Sequence, residues 1–167
     1  MDPEIVSATL TITVPVTRVF AVLADPAAHC AIDGTGWVRQ APDRAPLTEV
    51  GQLFRMDMHH ADHPDGDYQV VNKVHVLEAP RVIAWLTGSA QGDGEPEFGG
   101  WIWRYDLRPL GPSATEVTHT YDWSAVPQYV RERGIRFPPF GPGHLENSLR
   151  HLAELAARPI DRTEGAA

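Results

Sequence analysis

The sequence predicts an α+β fold in which a curved antiparallel sheet of about seven strands closes around one long C-terminal helix. Three observations predict it. Residues 5–14, "IVSATLTITV", alternate apolar and polar side chains as a half-buried strand does. From Trp37 to about Trp123, six further strand-like segments follow one another with turns between them, which gives an antiparallel meander. Finally "HLENSLRHLAELAA" (144–157) returns to helical spacing, with its leucines gathered on one side.

In the first strand Val6, Ala8, Leu10, Ile12 and Val14 share one face, and Ser7, Thr9, Thr11 and Thr13 the other. After Pro15 the period changes. Val16, Val19, Phe20 and Leu23 follow the i, i+3, i+4, i+7 pattern of an amphipathic helix, which Asp25-Pro26 stops. A second short helical segment, "PAAHCAI", starts at Pro26, because proline suits a first helical turn. "DGTG" (33–36) then turns the chain. The strands that follow are expected at 36–41, 51–60, 67–78, 81–88, 98–108 and 114–123. Pro42 and Pro46, "HPDG", "EAPR", "GDGEP" and "LGPS" supply the turns between them. Four prolines, Pro127, Pro138, Pro139 and Pro142, make 124–143 an irregular connection. The last helix carries Leu145, Ser148, Leu149, Leu152, Leu155 and Ala156 on one side. That stripe must be buried, and the concave face of the sheet is the available place. The arrangement is a helix-grip with a cavity between sheet and helix. One domain is expected over 1–157, with 158–167 a loose tail.

Composition excludes several classes of function. A net charge of −8 is unsuited to neutralising phosphates or docking on anionic lipid, so neither nucleic acid nor a membrane surface is expected as a partner. No apolar run approaches the ~20 residues of a membrane span, and no signal peptide opens the chain, so a cytoplasmic protein is expected, as monomer or homodimer. The single cysteine, Cys30, excludes an internal disulfide framework and a cysteine-rich zinc site.

"ATLTITVPVTRVFAVLADPAAHCAIDGTG", "EAPRVIAW", "WRYDLRP" and "ATEVTHTYDWS" resemble the START-like SRPBCC superfamily, in order over roughly residues 6–157. Within it they are most similar to bacterial members of the polyketide cyclase/dehydrase type. The resemblance implies a START/Bet v 1-like helix-grip and an apolar ligand. It also implies that the Ile83/Trp85 face of "RVIAWLT" is the cavity side and that "FPPFGPG" (137–143) is a variable lid. Such proteins include aromatase/cyclases, lipid and hormone binders and chaperone activators, and they share no single catalytic motif, so the fold leaves the activity open.

The stretch "MDMHHADHPDGDYQVVNK" (56–73) packs three histidines and four aspartates into eighteen residues, which raises the question of a metal site. Strand alternation puts Phe54, Met56, Met58 and His60 on one face, and Arg55, Asp57 and His59 on the other. Tyr68, Val70, Asn72, Val74 and Val76 form the matching face across the turn. With the turn at "PDG", paired positions sum to about 130, so Met58 faces Asn72, Met56 faces Val74 and Asp57 faces Lys73. Adjacent histidines on opposite faces cannot share one metal, and His59, Asp62 and His63 meet only if the loop curls back. The segment reads as a hairpin, with no metal.

The same alternation sets Trp101, Trp103, Tyr105 and Leu107 on one face of "WIWRYDL", and Val117, His119, Tyr121 and Trp123 on one face of "TEVTHTYDW". With these faces concave, the predicted ligand-binding residues are Met56, Met58, His60, Tyr68, Trp85, Trp101, Trp103, Tyr105 and Leu149. Aromatic walls with a few polar groups suit a mainly apolar, aromatic or polyketide-like ligand. Three candidates stand out for chemistry: His119 to move a proton, and Tyr121 and Asn72 to polarise a carbonyl. Each also has an ordinary packing role. His144 and His151 are expected at the edge of the last helix, and "DGTG" at the cavity mouth. The functions that follow are a cofactor-independent polyketide cyclase/dehydratase, a non-catalytic carrier or sensor of a hydrophobic metabolite or lipid, and a protein-interaction module of the chaperone-activator type.

Overall fold

The computed structural model describes residues 4–33, 37–60, 66–89 and 95–158. Strand β1 (Ile5–Ile12) leads into helix α1 (Val16–Leu23), and a 3₁₀ turn (Pro26–Ala28) runs into a single helical turn, α2 (His29–Ile32). Six strands follow: β2 (Val38–Gln40), β3 (Leu53–His59), β4 (Asp67–Glu78), β5 (Val82–Ser89), β6 (Glu97–Pro109) and β7 (Thr115–Asp122). A one-turn helix, α3 (Gln128–Arg131), interrupts the proline-rich connection before α4 (His144–Ala157). The sheet is antiparallel throughout, in the order β1-β7-β6-β5-β4-β3-β2.

Local chemistry explains the element boundaries. Pro15 supplies the extended residue before α1, and the Asp25 carboxylate accepts a hydrogen bond from the Ala27 backbone at 3.1 Å, capping the 3₁₀ turn at its proline start. The ladder slips between Val74 and Val76 and between Leu86 and Gly88, and such bulges bend a sheet. At Gly88 the strands approach so closely that a Cβ would lie 2.1 Å from the Glu97 carbonyl oxygen. Glycine is the residue that allows this bend.

α4 does not lie centrally in the grip. It packs against β1, α1 and α2, with a lighter contact to β7. Leu149, Leu152 and Ala156 thereby close the main core with Val19, Leu23, Val74 and Ile83. A second cluster, Tyr121, Trp123, Val126, Val130 and Leu145, holds down the connection before the helix. The sheet from β3 to β6 is left without a covering helix on much of its concave side.

The hairpin register differs from the expectation. Met56 faces Val70, Phe54 faces Asn72 and Asp57 faces Gln69, so paired positions sum to 126. Among the described residues the last backbone contact of the hairpin runs from the His60 amide to the Gly66 carbonyl at 2.9 Å, in keeping with the same sum. The shift is an even number of residues, so every side chain keeps its face. Asp57 pairs with amides instead of Lys73, accepting from Gln40 at 2.7 Å and Gln69 at 2.8 Å. Lys73 lies over the ring of Phe98.

Candidate functional site

Between the uncovered sheet and the helices lies a partly open cavity of about 320 Å³. Strand alternation decides its floor. β3 contributes Met56 and Met58, β4 Tyr68, Val70 and Asn72, and β5 Trp85 and Thr87. β6 contributes Trp101, Trp103 and Tyr105, and β7 His119 and Tyr121. The roof comes from His29, Ile32 and Asp33, from Ile135, Phe137 and Pro139 of the proline-rich connection, and from His144 and Ser148 of the first turns of α4.

Ten of the residues singled out in the sequence therefore meet at one surface. His60 and Leu149 do not line it. His60 stands at the rim, its ring 4.8 Å from that of Trp37, which does line the cavity. Leu149 is sealed in the main core, because α4 leans toward β1 and α1 and turns its leucine row away from the cavity. His144 departs from the expectation in the other direction. It is buried, not at an edge, because Gly143 adopts φ +87° and starts the helix from inside the proline-rich connection. His59 Nδ1 donates a 2.8 Å bond to the Asp67 carboxylate across the hairpin, on the outer face. Asp62 and His63 lie outside the described residues, as do Gly34 to Gly36 of the expected mouth turn. Asp33, the first residue of that turn, lines the cavity and accepts from the Val38 amide at 3.0 Å.

The aromatic rings form one continuous wall. His29 stacks on Trp85 with centroids 5.0 Å apart, and Trp85 lies 6.0 Å from Tyr105. Tyr105 stacks nearly parallel on His119 at 4.0 Å, and Trp103 lies 4.6 Å from Tyr121 and 5.8 Å from His144. Offset and tilted ring contacts of this kind make a rigid apolar surface that matches the faces of aromatic guests.

The polar groups are set into that wall unequally. His119 is 2 % exposed, and neither ring nitrogen makes a hydrogen bond with the described residues. Burial, and then the neighbouring His144, push its pKa down to about 3, with a weak backbone interaction at Leu145 opposing them. It is a neutral ring inside the wall, and its nitrogens are closed to the cavity. Burial pushes the hydroxyls of Tyr105 and Tyr121 above their ordinary range, so both stay protonated donors at neutral pH. Asn72 accepts from the Thr87 hydroxyl at 2.7 Å, which orients its amide.

Two features of the site were missed in the sequence. His29 falls on the Pro26, His29, Ile32 side of the short helix, an i, i+3, i+6 spacing that marks it as inward-facing. Ile135 and Phe137 of the proline-rich connection carry no comparable signal, because an irregular segment has no period from which to read a face.

No family model matches the chain. Uncharacterized protein Rv0088 of Mycobacterium tuberculosis is 29% identical over 124 residues, which are 74% of this chain and 50% of that protein. The chain thus spans about half the length of the curated relatives it matches. Solved structures superpose over nearly the whole chain. Protein CV1439 from Chromobacterium violaceum does so with a TM-score of 0.62 and 18% identity, covering 94% of this chain and all of that one. The ZhuI aromatase/cyclase from Streptomyces sp. R1128 does so with a TM-score of 0.60 and 16% identity, covering 95% and 96%. At these identities the likeness shows the fold, a curved seven-stranded antiparallel sheet with a C-terminal helix.

Proposed function

We propose that this chain binds a mainly apolar, aromatic small molecule in the cavity between its sheet and its helices. The observation that carries the proposal is the wall itself: Trp85, Trp101, Trp103, Tyr105 and two methionines around about 320 Å³ of space. A chain that only needed a core would fill such a space, since interiors are close-packed and voids forfeit dispersion contacts. Burying ~300 Å² of apolar ligand and wall surface would contribute about 7 kcal/mol before the costs of association. Methionines at positions 56 and 58 let the wall adapt to ligand shape.

The test is direct. Trp37, Trp85, Trp101 and Trp103 border the cavity, so planar aromatic compounds such as 2-naphthol or anthraquinones should quench or shift the intrinsic fluorescence with low-micromolar midpoints. Nucleotides and sugars should leave it unchanged. If no member of a broad aromatic panel perturbs fluorescence, the binding proposal fails.

A second reading, cyclase or dehydratase chemistry on a polyketide-like chain, draws support from the likeness to an aromatase/cyclase along 95% of this chain. In it Tyr121 and Asn72 polarise a carbonyl, as donors in a largely apolar cavity. His119 is poorly suited to be the base, since its nitrogens are sealed and its pKa is held far below neutrality. Single-turnover assays with a poly-β-carbonyl thioester would decide between the readings: product formation that His119→Phe spares and Tyr121→Phe abolishes supports turnover, and no product from wild type leaves the binder.

A further inference from the structure

Three histidines line the cavity, and they differ in which ring nitrogen is accessible. Both nitrogens of His119 are sealed from the surface, and so is Nδ1 of His144. His29 is held differently. Its Nε2 lies 2.8 Å from the Leu23 carbonyl oxygen at the end of α1. A carbonyl can only accept, so Nε2 carries the proton and donates it there. The tautomer is thereby fixed, and Nδ1, on a ring that lines the cavity, is left as a lone-pair acceptor and is not among the sealed, unpartnered nitrogens. The ring is also fixed in orientation, stacked on Trp85 and edge-on to Phe54 at 5.6 Å. Burial lowers the pKa of His29, against smaller opposing effects from Leu23 and Asp25, so the ring stays neutral.

The other neutral polar groups named at the floor are hydroxyls and an amide, which are weaker acceptors than an imidazole nitrogen: the Tyr105 and Tyr121 hydroxyls are held protonated, and the Asn72 carbonyl already accepts from Thr87. An apolar cavity with an oriented neutral imidazole acceptor discriminates between ligands that bring a hydroxyl and ligands that do not. We propose that His29 Nδ1 is the acceptor by which this cavity recognises a neutral O–H on an aromatic ring, so that its preferred ligands are phenolic compounds and not their O-methylated counterparts. This rests on the binding proposal above and adds the polar contact that orients the guest.

The experiment pairs 2-naphthol with 2-methoxynaphthalene, titrated into the intact protein and followed by tryptophan fluorescence and calorimetry. Wild type should bind the naphthol about tenfold more tightly, the preference expected from one well-aligned buried hydrogen bond. In His29→Phe the ratio of the two affinities should fall to near one. His29→Gln, which returns an amide oxygen, should recover part of the preference. A ¹⁵N spectrum of the histidine rings gives a measurement that no substitution can compromise: naphthol should shift the Nδ1 resonance of His29 in wild type, and methoxynaphthalene should not. Equal binding of the two probes by wild type overturns the inference and leaves the binding proposal standing, as does a preference that survives His29→Phe or an unmoved Nδ1 resonance. Binding of neither probe sinks both.

Discussion

His119 shows how far one buried side chain is defined by its surroundings. In the unfolded chain it titrates near 6.5, and in the folded protein near 3. Between those values the unfolded chain takes up a proton that the folded one refuses. Stability therefore falls as the pH drops below about 6.5, by about 1.4 kcal/mol per pH unit, and the loss levels off near pH 3. His29 acts with the same sign, since burial lowers its pKa too. Above pH 6.5 both histidines are neutral in both states and add no slope. His119→Phe removes two nitrogens that make no hydrogen bond and keeps a ring against Tyr105. The variant should be as stable as wild type at pH 7 to within about 1 kcal/mol, and its stability should fall less steeply toward pH 4. Urea melts at pH 7, 6, 5 and 4 measure this, and equal slopes for the two proteins would contradict the burial of the ring.

Among the elements, α4 and the β5–β6 bend have different sensitivities. Leu149 and Leu152 are each no more than 1 % exposed in the main core, so either Leu→Ala change should cost ~2–5 kcal/mol in chemical denaturation. The cost should fall on stability and not on ligand recognition, because Leu149 lies behind the cavity wall. Gly88 is constrained from the backbone side: an added methyl meets the Glu97 carbonyl at 2.1 Å, and no rotamer can relieve that. Gly88→Ala should therefore destabilise the protein and loosen the β5–β6 ladder, seen as faster amide exchange at Leu86 and Phe98. Loss of less than half a kcal/mol in all three variants would mean that the packing described is wrong.

At the scale of the molecule, the cavity and the fold are coupled through ligand linkage. A compound that binds only the folded state adds about 2.7 kcal/mol at a hundredfold excess over its Kd. For a chain of this size that raises the melting temperature by roughly 5–10 °C. Thermal scans with increasing 2-naphthol should follow this logarithmic dependence, with the same Kd that fluorescence reports. A melting point that does not respond to a ligand seen to quench the tryptophans would place that ligand on the surface. No described helix is long and apolar enough to cross a membrane, and the ion pairs, such as Arg55 with Asp43 and Arg108 with Glu116, lie on outer surfaces away from the cavity.

Much of this was decided locally, and therefore legibly. Alternation of period two grouped Met56 with Met58, Trp103 with Tyr105 and His119 with Tyr121, because neighbouring side chains in a strand have no alternative to opposite sides, and the resemblance implied the cavity side for Trp85. The leucine stripe of 144–157 made a helix that had to be buried, and the prolines ended the elements where they do end. What the tertiary structure decided was everything that depends on distance across the fold. The hairpin register is a sum of 126 and not 130, because face alternation is the same for both and leaves open which residues meet. The lean of α4 toward β1 and α1 took Leu149 out of the cavity and brought His144 into it. The same packing sealed the nitrogens of His119 and held His29 to the Leu23 carbonyl with its other nitrogen open. A sequence lists the residues that reach an interior face; which of their atoms remain accessible there is settled only when the neighbouring elements close around them.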